Sequence, residues 1–119
     1  MAREPTPLYL VFDGAALEGL LYRIVKRCPP VLDDFKSYEV LGRAYDRRDF
    51  FIGTGVSMHR TPKRAISMAR RFGLGRGIAA LELRTAPIVW AGTRLGGHIT
   101  VWAPAETLLD AVVQCDDDE

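Results

Sequence analysis

One short stretch constrains the fold of this chain more than any other: Thr61-Pro62, followed by the run KRAISMARRF and then Gly73. Thr61 can accept a hydrogen bond from the free N–H groups of a first helical turn. Pro62 suits the first helical position, where its missing donor costs nothing. Ala65, Ile66, Ala69 and Phe72 recur at helical spacing, so they form one apolar stripe with Lys63, Arg64, Arg70 and Arg71 mostly outside it. Gly73, Gly75 and Gly77 follow. A helix over Thr61–Phe72 is therefore expected, set between extended segments on both sides.

The glycine run after this helix has the spacing of a nucleotide loop but the wrong context. Such a loop follows a strand and opens a helix, whereas Gly73-x-Gly75-x-Gly77 closes a helix and opens a strand. It reads as a C-terminal cap and turn.

Around the helix the pattern is strand-like. Leu8–Phe12 is a short apolar strand stopped by Asp13-Gly14, with a helical turn expected over Ala15–Leu20. Leu20–Lys26 alternates as a second strand. Cys28-Pro29-Pro30 breaks regular structure, and Asp33-Asp34 stand where a short helix would begin. Residues 43–52 read as a loop, and Gly53–Met58 as a short strand or extended turn. Gly77–Leu83, Pro87–Trp90 and His98–Trp102 are further strands. Pro104 opens a short helix or turn before the apolar run Leu108–Val113. Strands that mostly follow one another, with two main helices inserted, predict a small single α+β domain with a mixed or antiparallel sheet. At 119 residues, 48% of them hydrophobic, the chain can bury a core without staples.

The net charge of +1 hides an asymmetry. Between Arg43 and Arg76 nine basic residues face only Asp46 and Asp49, whereas the chain ends Asp116-Asp117-Asp118-Glu119. Residues 114–119 are expected to be a disordered acidic tail. The basic segment 43–76 is a candidate surface for nucleic acid or an acidic protein partner. A homodimer in which the tail neutralises the neighbour's basic stretch is a further expectation. No secretory or membrane-spanning run is present, so no membrane contact is expected. A cytoplasmic setting with Cys28 and Cys115 as reduced thiols is favoured.

Several residues carry chemistry. His98, Thr100 and Trp102 share one face of their strand, with Ile99 and Val101 on the other. Such a face can be a half-exposed strand surface or can line a cleft for a planar ligand. Ser57 and His59 lie just before the helix. Arg60 and the positive helix end favour an anion there. Glu106, ahead of Thr107-Leu108-Leu109, is a helix N-terminal acid or a catalytic carboxylate. Two histidines and two cysteines make no recognised metal-ligand spacing.

In order along the chain, Arg23 in LYRIV, Ser57 in GTGVS leading into the helix, and Glu106 in AETLL resemble the ADP-ribosyltransferase fold family. The resemblance spans about residues 20 to 113. It implies that the chain binds NAD and modifies a macromolecular target. Arg23 would hold a phosphate or ribose, and Ser57 would line the dinucleotide site. Arg60 and Lys63 would receive the pyrophosphate, with His98 on the cleft wall. Trp102 or Phe51 would stack on the nicotinamide, and Glu106 would orient the ribose hydroxyl or the acceptor. Two departures from the family pattern stand in the sequence: Gly55-Val56-Ser57 replaces a Ser-Thr-Ser signature, and Pro104 stands two positions before Glu106. The stretches DDFKSYEVLGR, GVSMHRTPKRAISMARRFG and GGHITVWAPAETLL are also similar to small uncharacterised proteins of actinobacteria and their phages. That likeness carries no known activity. The alternative to a transferase is a non-enzymatic phage- or defence-related interaction module that holds nucleic acid or an acidic protein through the basic segment 43–76.

Overall fold

In a computed structural model, the structure describes residues 9–13, 19–37, 41, 55–83, 88–93 and 97–118. The expected turn at Ala15–Leu20 falls mostly outside these residues, and the expected loop 43–52, with Phe51, falls wholly outside them. The strands are β1 (Tyr9–Asp13), β2 (Leu20–Val25), β3 (Val56–His59), β4 (Gly77–Glu82), β5 (Val89–Thr93), β6 (His98–Trp102) and β7 (Val112–Asp117). They form one sheet in the order β1-β5-β6-β3-β2-β4-β7, and every pairing is antiparallel. Against this sheet lie helix α1 (Pro62–Phe72), helix α2 (Ala105–Asp110) and a 3₁₀ turn at Leu32–Phe35. The architecture is the α+β arrangement that the pattern predicts, and its sheet is antiparallel.

Helix α1 forms for the reasons read from its sequence. The Thr61 Oγ1 accepts the Arg64 N–H at 3.2 Å, and Pro62 occupies the first turn. Gly73 ends the helix in the left-handed region (φ 62°), which a residue with a Cβ enters only at a cost. At Gly75 a Cβ would strike the Val25 carbonyl, so that glycine is set by close approach of the chain to the end of β2. The glycine run thus serves capping and packing.

The two faces of the sheet are covered differently. On one, Leu21, Val25, Met58, Leu81, Ile99 and Val101 are buried beneath Phe35 of the 3₁₀ turn and Leu108 of α2. On the other, α1 lays Ala65 and Ala69 against Ile24 and Ile78. The period-two alternation of the strands sorts residues between these faces. Burying these side chains drives folding at roughly 25 cal/mol per Å² of apolar surface removed from water.

Two expectations are corrected at the end of the chain. Residues 112–117 are an edge strand paired with β4 from Gly77↔Asp117 to Leu81↔Val112, rather than part of a disordered tail. The acids at this end are used within the chain. The Cys28 N–H donates to Asp117 Oδ1 at 2.8 Å, and Asp118 takes a two-pronged hydrogen bond from Arg70 at 2.8 Å each. Asp118 therefore neutralises the chain's own helix, which removes one of the charges on which the expected dimer contact was built. Secondly, Cys28 and Cys115 are joined in a disulfide with Cα atoms 5.7 Å apart, rather than being reduced thiols. Their 87-residue separation hid the pairing, which arises because β7 runs beside β4 and β4 beside β2. Among the described residues no helix is long and apolar enough to cross a membrane.

Candidate functional site

Strand β2 meets its two neighbours very differently. Along β4 it pairs at every position from Leu20↔Glu82 to Val25↔Gly77. Toward β3 it pairs only at Tyr22↔His59. Past that pair the ladder is replaced by a side chain. The Arg23 Nη1 donates to the Ser57 carbonyl at 2.9 Å and its Nε to the Asp34 carbonyl at 2.8 Å. The guanidinium thus supplies donors that a ladder would have supplied, and ties β2, β3 and the 3₁₀ turn together.

The turn itself is held by Asp34. Its carboxylate accepts the Val31 N–H at 2.8 Å and the Lys26 N–H at 3.3 Å. That arrangement aims the Asp34 carbonyl back at Arg23.

A cleft of about 340 Å³ opens at this split. Arg23, Ser57, His59 and His98 line it together with apolar Ile24, Met68 and Leu74, and Val31, Asp33 and Asp34 stand on the turn side. Such a mixture of apolar wall and a few convergent polar groups is usual for small-ligand sites, which run to ~300–1,000 Å³.

Register explains the polar row. Ser57 faces Thr100 and His59 faces His98 across β3 and β6, so all four share a face. The two imidazole centroids are 5.8 Å apart, edge to face. Burial, followed by the neighbouring His98, Arg64 and Arg23, lowers the His59 pKa to about 4. Burial and Arg64 lower that of His98 as well. Both rings are therefore neutral at physiological pH. Three buried polar atoms at or beside this row have no hydrogen-bond partner: His59 Nδ1, Thr100 Oγ1 and Arg64 Nε.

The structure brings together three of the residues singled out in the sequence, Arg23, Ser57 and His98. It separates the others. Glu106 is exposed in the first turn of α2 and lines a different groove with Trp102, Phe35, Val56 and Pro104. Its position is that of a helix N-terminal acid, and the role at a shared site expected for Glu106 and Trp102 does not fit their placement. Arg60 follows His59 directly, so alternation sends it away from the cleft, where its guanidinium lies 5.9 Å from the Trp90 ring centre. The α1 N-terminus, expected to attract an anion, has Pro62 in a groove whose other wall carries Asp116, Asp117 and Asp118. Acidic neighbours disfavour an anion at that end.

The basic segment is partly spent within the molecule. Arg70 bonds Asp118, Arg71 lies 5.2 Å from the Phe72 ring centre, and Arg64 reaches toward the two histidines. Its portion 43–54 lies outside the described residues.

Sequence reasoning did not assign His59 to the cleft or Arg64 to the neighbourhood of its two histidines. The signal for His59 was present in Ser57-x-His59, which matches the period-two spacing of His98-x-Thr100. Arg64 carried no such signal, because only the docking of α1 decides which helix cation faces β6. Comparison of the chain with protein-family models, with curated proteins and with solved structures returns no match.

Proposed function

We propose that the chain binds a nicotinamide dinucleotide at the β2–β3 cleft and is ADP-ribosyltransferase-like. The observation that carries this reading is the meeting of the Arg-bearing and Ser-bearing strands. Arg23 and Ser57, which the family resemblance assigns to the dinucleotide, lie on adjacent strands and are linked by a hydrogen bond at the mouth of one cleft.

The lining suits such a ligand. The unpartnered buried polar atoms call for a polar group, and Ile24, Met68, Leu74 and Val31 offer apolar surface for a flat ring. The cleft volume accommodates one half of a dinucleotide, leaving the other half outside it. When bound, the dinucleotide supplies a ribose carbon from which nicotinamide can be displaced. The chain's own residues would then bind and orient. Arg23 fixes the split, the apolar walls limit water, and a neutral imidazole takes the proton of the attacking hydroxyl at a ring nitrogen. Because Glu106 lies in another groove, that proton-accepting role passes to His98.

The test is calorimetric titration of the chain with NAD, paired with an assay of nicotinamide release and label transfer to protein and RNA acceptors. Binding weaker by about tenfold in His98→Ala, with Glu106→Gln indistinguishable from wild type, is the expected outcome. Absence of binding at millimolar NAD would sink the reading.

A further inference from the structure

Buried polar atoms without partners lie in and beside the cleft. His59 is only 5% exposed and its Nδ1 has no partner. The Arg64 Nε, also buried and unpartnered, is by its chemistry a donor only. Arg64 comes close because residue 97 is glycine: a Cβ there would lie 3.2 Å from the Arg64 Cδ, tighter than ordinary packing. The two carboxylates that line the cleft have other partners. Asp34 is engaged by the main chain at Lys26 and Val31, and Asp33 forms an ion pair with Lys36 at 2.7 Å. Buried polar groups in folded proteins are almost always satisfied. The Arg64 Nε therefore lacks an acceptor, whereas the Nδ1 of the neutral His59 ring can meet a donor or an acceptor; a charged acceptor serves both once that ring takes up a proton.

We infer that His59, His98 and Arg64 form an anion subsite that receives a phosphate group of the ligand at the floor of the β2–β3 cleft. The inference deepens the dinucleotide reading and rests on the same cleft, but it does not depend on the nicotinamide or on any transfer step. Its donors come from three elements, β3, β6 and α1, so they approach from different directions. The tetrahedral oxygens of a phosphate can meet such a set, whereas a planar carboxylate is best met by one fork in its own plane.

The groups facing His59 are Tyr22 across β2, His98 across β6, Arg64 from α1 and Arg23 from the split. None of these is an acid, and burial among cations keeps the ring neutral. A bound phosphate reverses the balance, because its charge favours the imidazolium that the arginines disfavour. Binding is then accompanied by proton uptake at His59, and affinity rises as pH falls.

The experiment is calorimetric titration of the full chain with four probes: ADP-ribose, AMP, inorganic phosphate and adenosine. ADP-ribose is the informative probe for pH, since its pyrophosphate stays ionised through the neutral range. The expected result is ADP-ribose binding at least about tenfold tighter than adenosine, tightening from about pH 8 to about pH 6. Two buffers of unlike ionisation enthalpy should report net proton uptake. His59→Gln should abolish that uptake, and Arg64→Met should weaken ADP-ribose by about tenfold while Arg64→Lys restores part of it. Circular dichroism of each variant confirms folding. Tighter binding of AMP than of ADP-ribose would assign the subsite to a terminal phosphate, and the reverse to the pyrophosphate; either supports it. Variants within twofold of wild type would overturn the inference. So would equal binding of adenosine and ADP-ribose, or no binding of any phosphate compound at millimolar concentration, in which case water alone meets the donors. Phosphate binding without nicotinamide release would leave the subsite standing and remove the transferase reading. Nicotinamide release unaffected by both substitutions would do the opposite.

Discussion

The two edges of β2 are the most instructive contrast in the molecule. Against β4 the strand is zipped from end to end, and three of its six partners, Gly77, Ala79 and Ala80, are small. A Cβ at Gly77 would come within 2.7 Å of the Val25 side chain, so the close fit there leaves no room for a cleft. Against β3 the same strand pairs once and then parts, with Arg23 bridging the gap. One edge provides stability through a continuous ladder. The other gives up ladder bonds and obtains a cleft with polar groups held at its mouth. A bridging arginine lets a sheet stay continuous in topology while opening at one seam.

The largest effect should come from removing that bridge. Arg23→Ala leaves the Ser57 and Asp34 carbonyls without their charged donor, and should lower unfolding free energy by about 4 kcal/mol in chemical denaturation. An effect below about 1 kcal/mol would mean that the seam does not need its arginine. The closed side has its own fastener. Reducing the Cys28–Cys115 bridge, or replacing Cys115 by Ser, should cost about 3 kcal/mol by releasing an 87-residue loop. It should do so without altering ligand affinity at the open seam.

Acid should strain the open seam next. His59 has a pKa of about 4 in the fold, below the ordinary 6.5, so the unfolded chain binds the proton more readily between these values. Its contribution to stability is complete above pH 6.5 and fades as pH falls toward about 4. The loss amounts to about 2.5 kcal/mol by roughly pH 4.5. His59→Gln should flatten that part of the thermal-melting profile. A profile unchanged by the substitution would show that the ring is not held neutral by its surroundings. The smallest effect belongs to neither edge: Thr61→Ala removes the α1 cap and should cost about 1 kcal/mol, measured by the same denaturation.

What was legible in the sequence is what local chemistry decides. The α1 helix rests on a cap, a proline, an apolar stripe and a closing glycine, all within thirteen residues. His98–Trp102 was legible from alternation, and its observed bounds agree. The C-terminal strand was hidden because Asp116–Asp118 look solvated in isolation, and only the long-range pairing with β4 and the arginine on α1 give them partners. The disulfide was hidden for the same reason. At the site, Arg23, Ser57 and His98 converge because strand adjacency carries them there. Glu106 and Trp102 do not, because sequence order says nothing about which end of a strand faces which groove. Arg60, expected with an anion at the helix end, lies beside Trp90, and its neighbour His59 is the side chain that lines the cleft.

The central claim is that the split between β2 and β3 is the ligand site, and a titration of the isotopically labelled chain with ADP-ribose, followed by amide NMR, tests it most directly. The account predicts saturable shifts at Ser57, His59 and His98, with the α2 groove around Glu106 unmoved. Shifts centred on Trp102 and Glu106, or none at millimolar ligand, would contradict it.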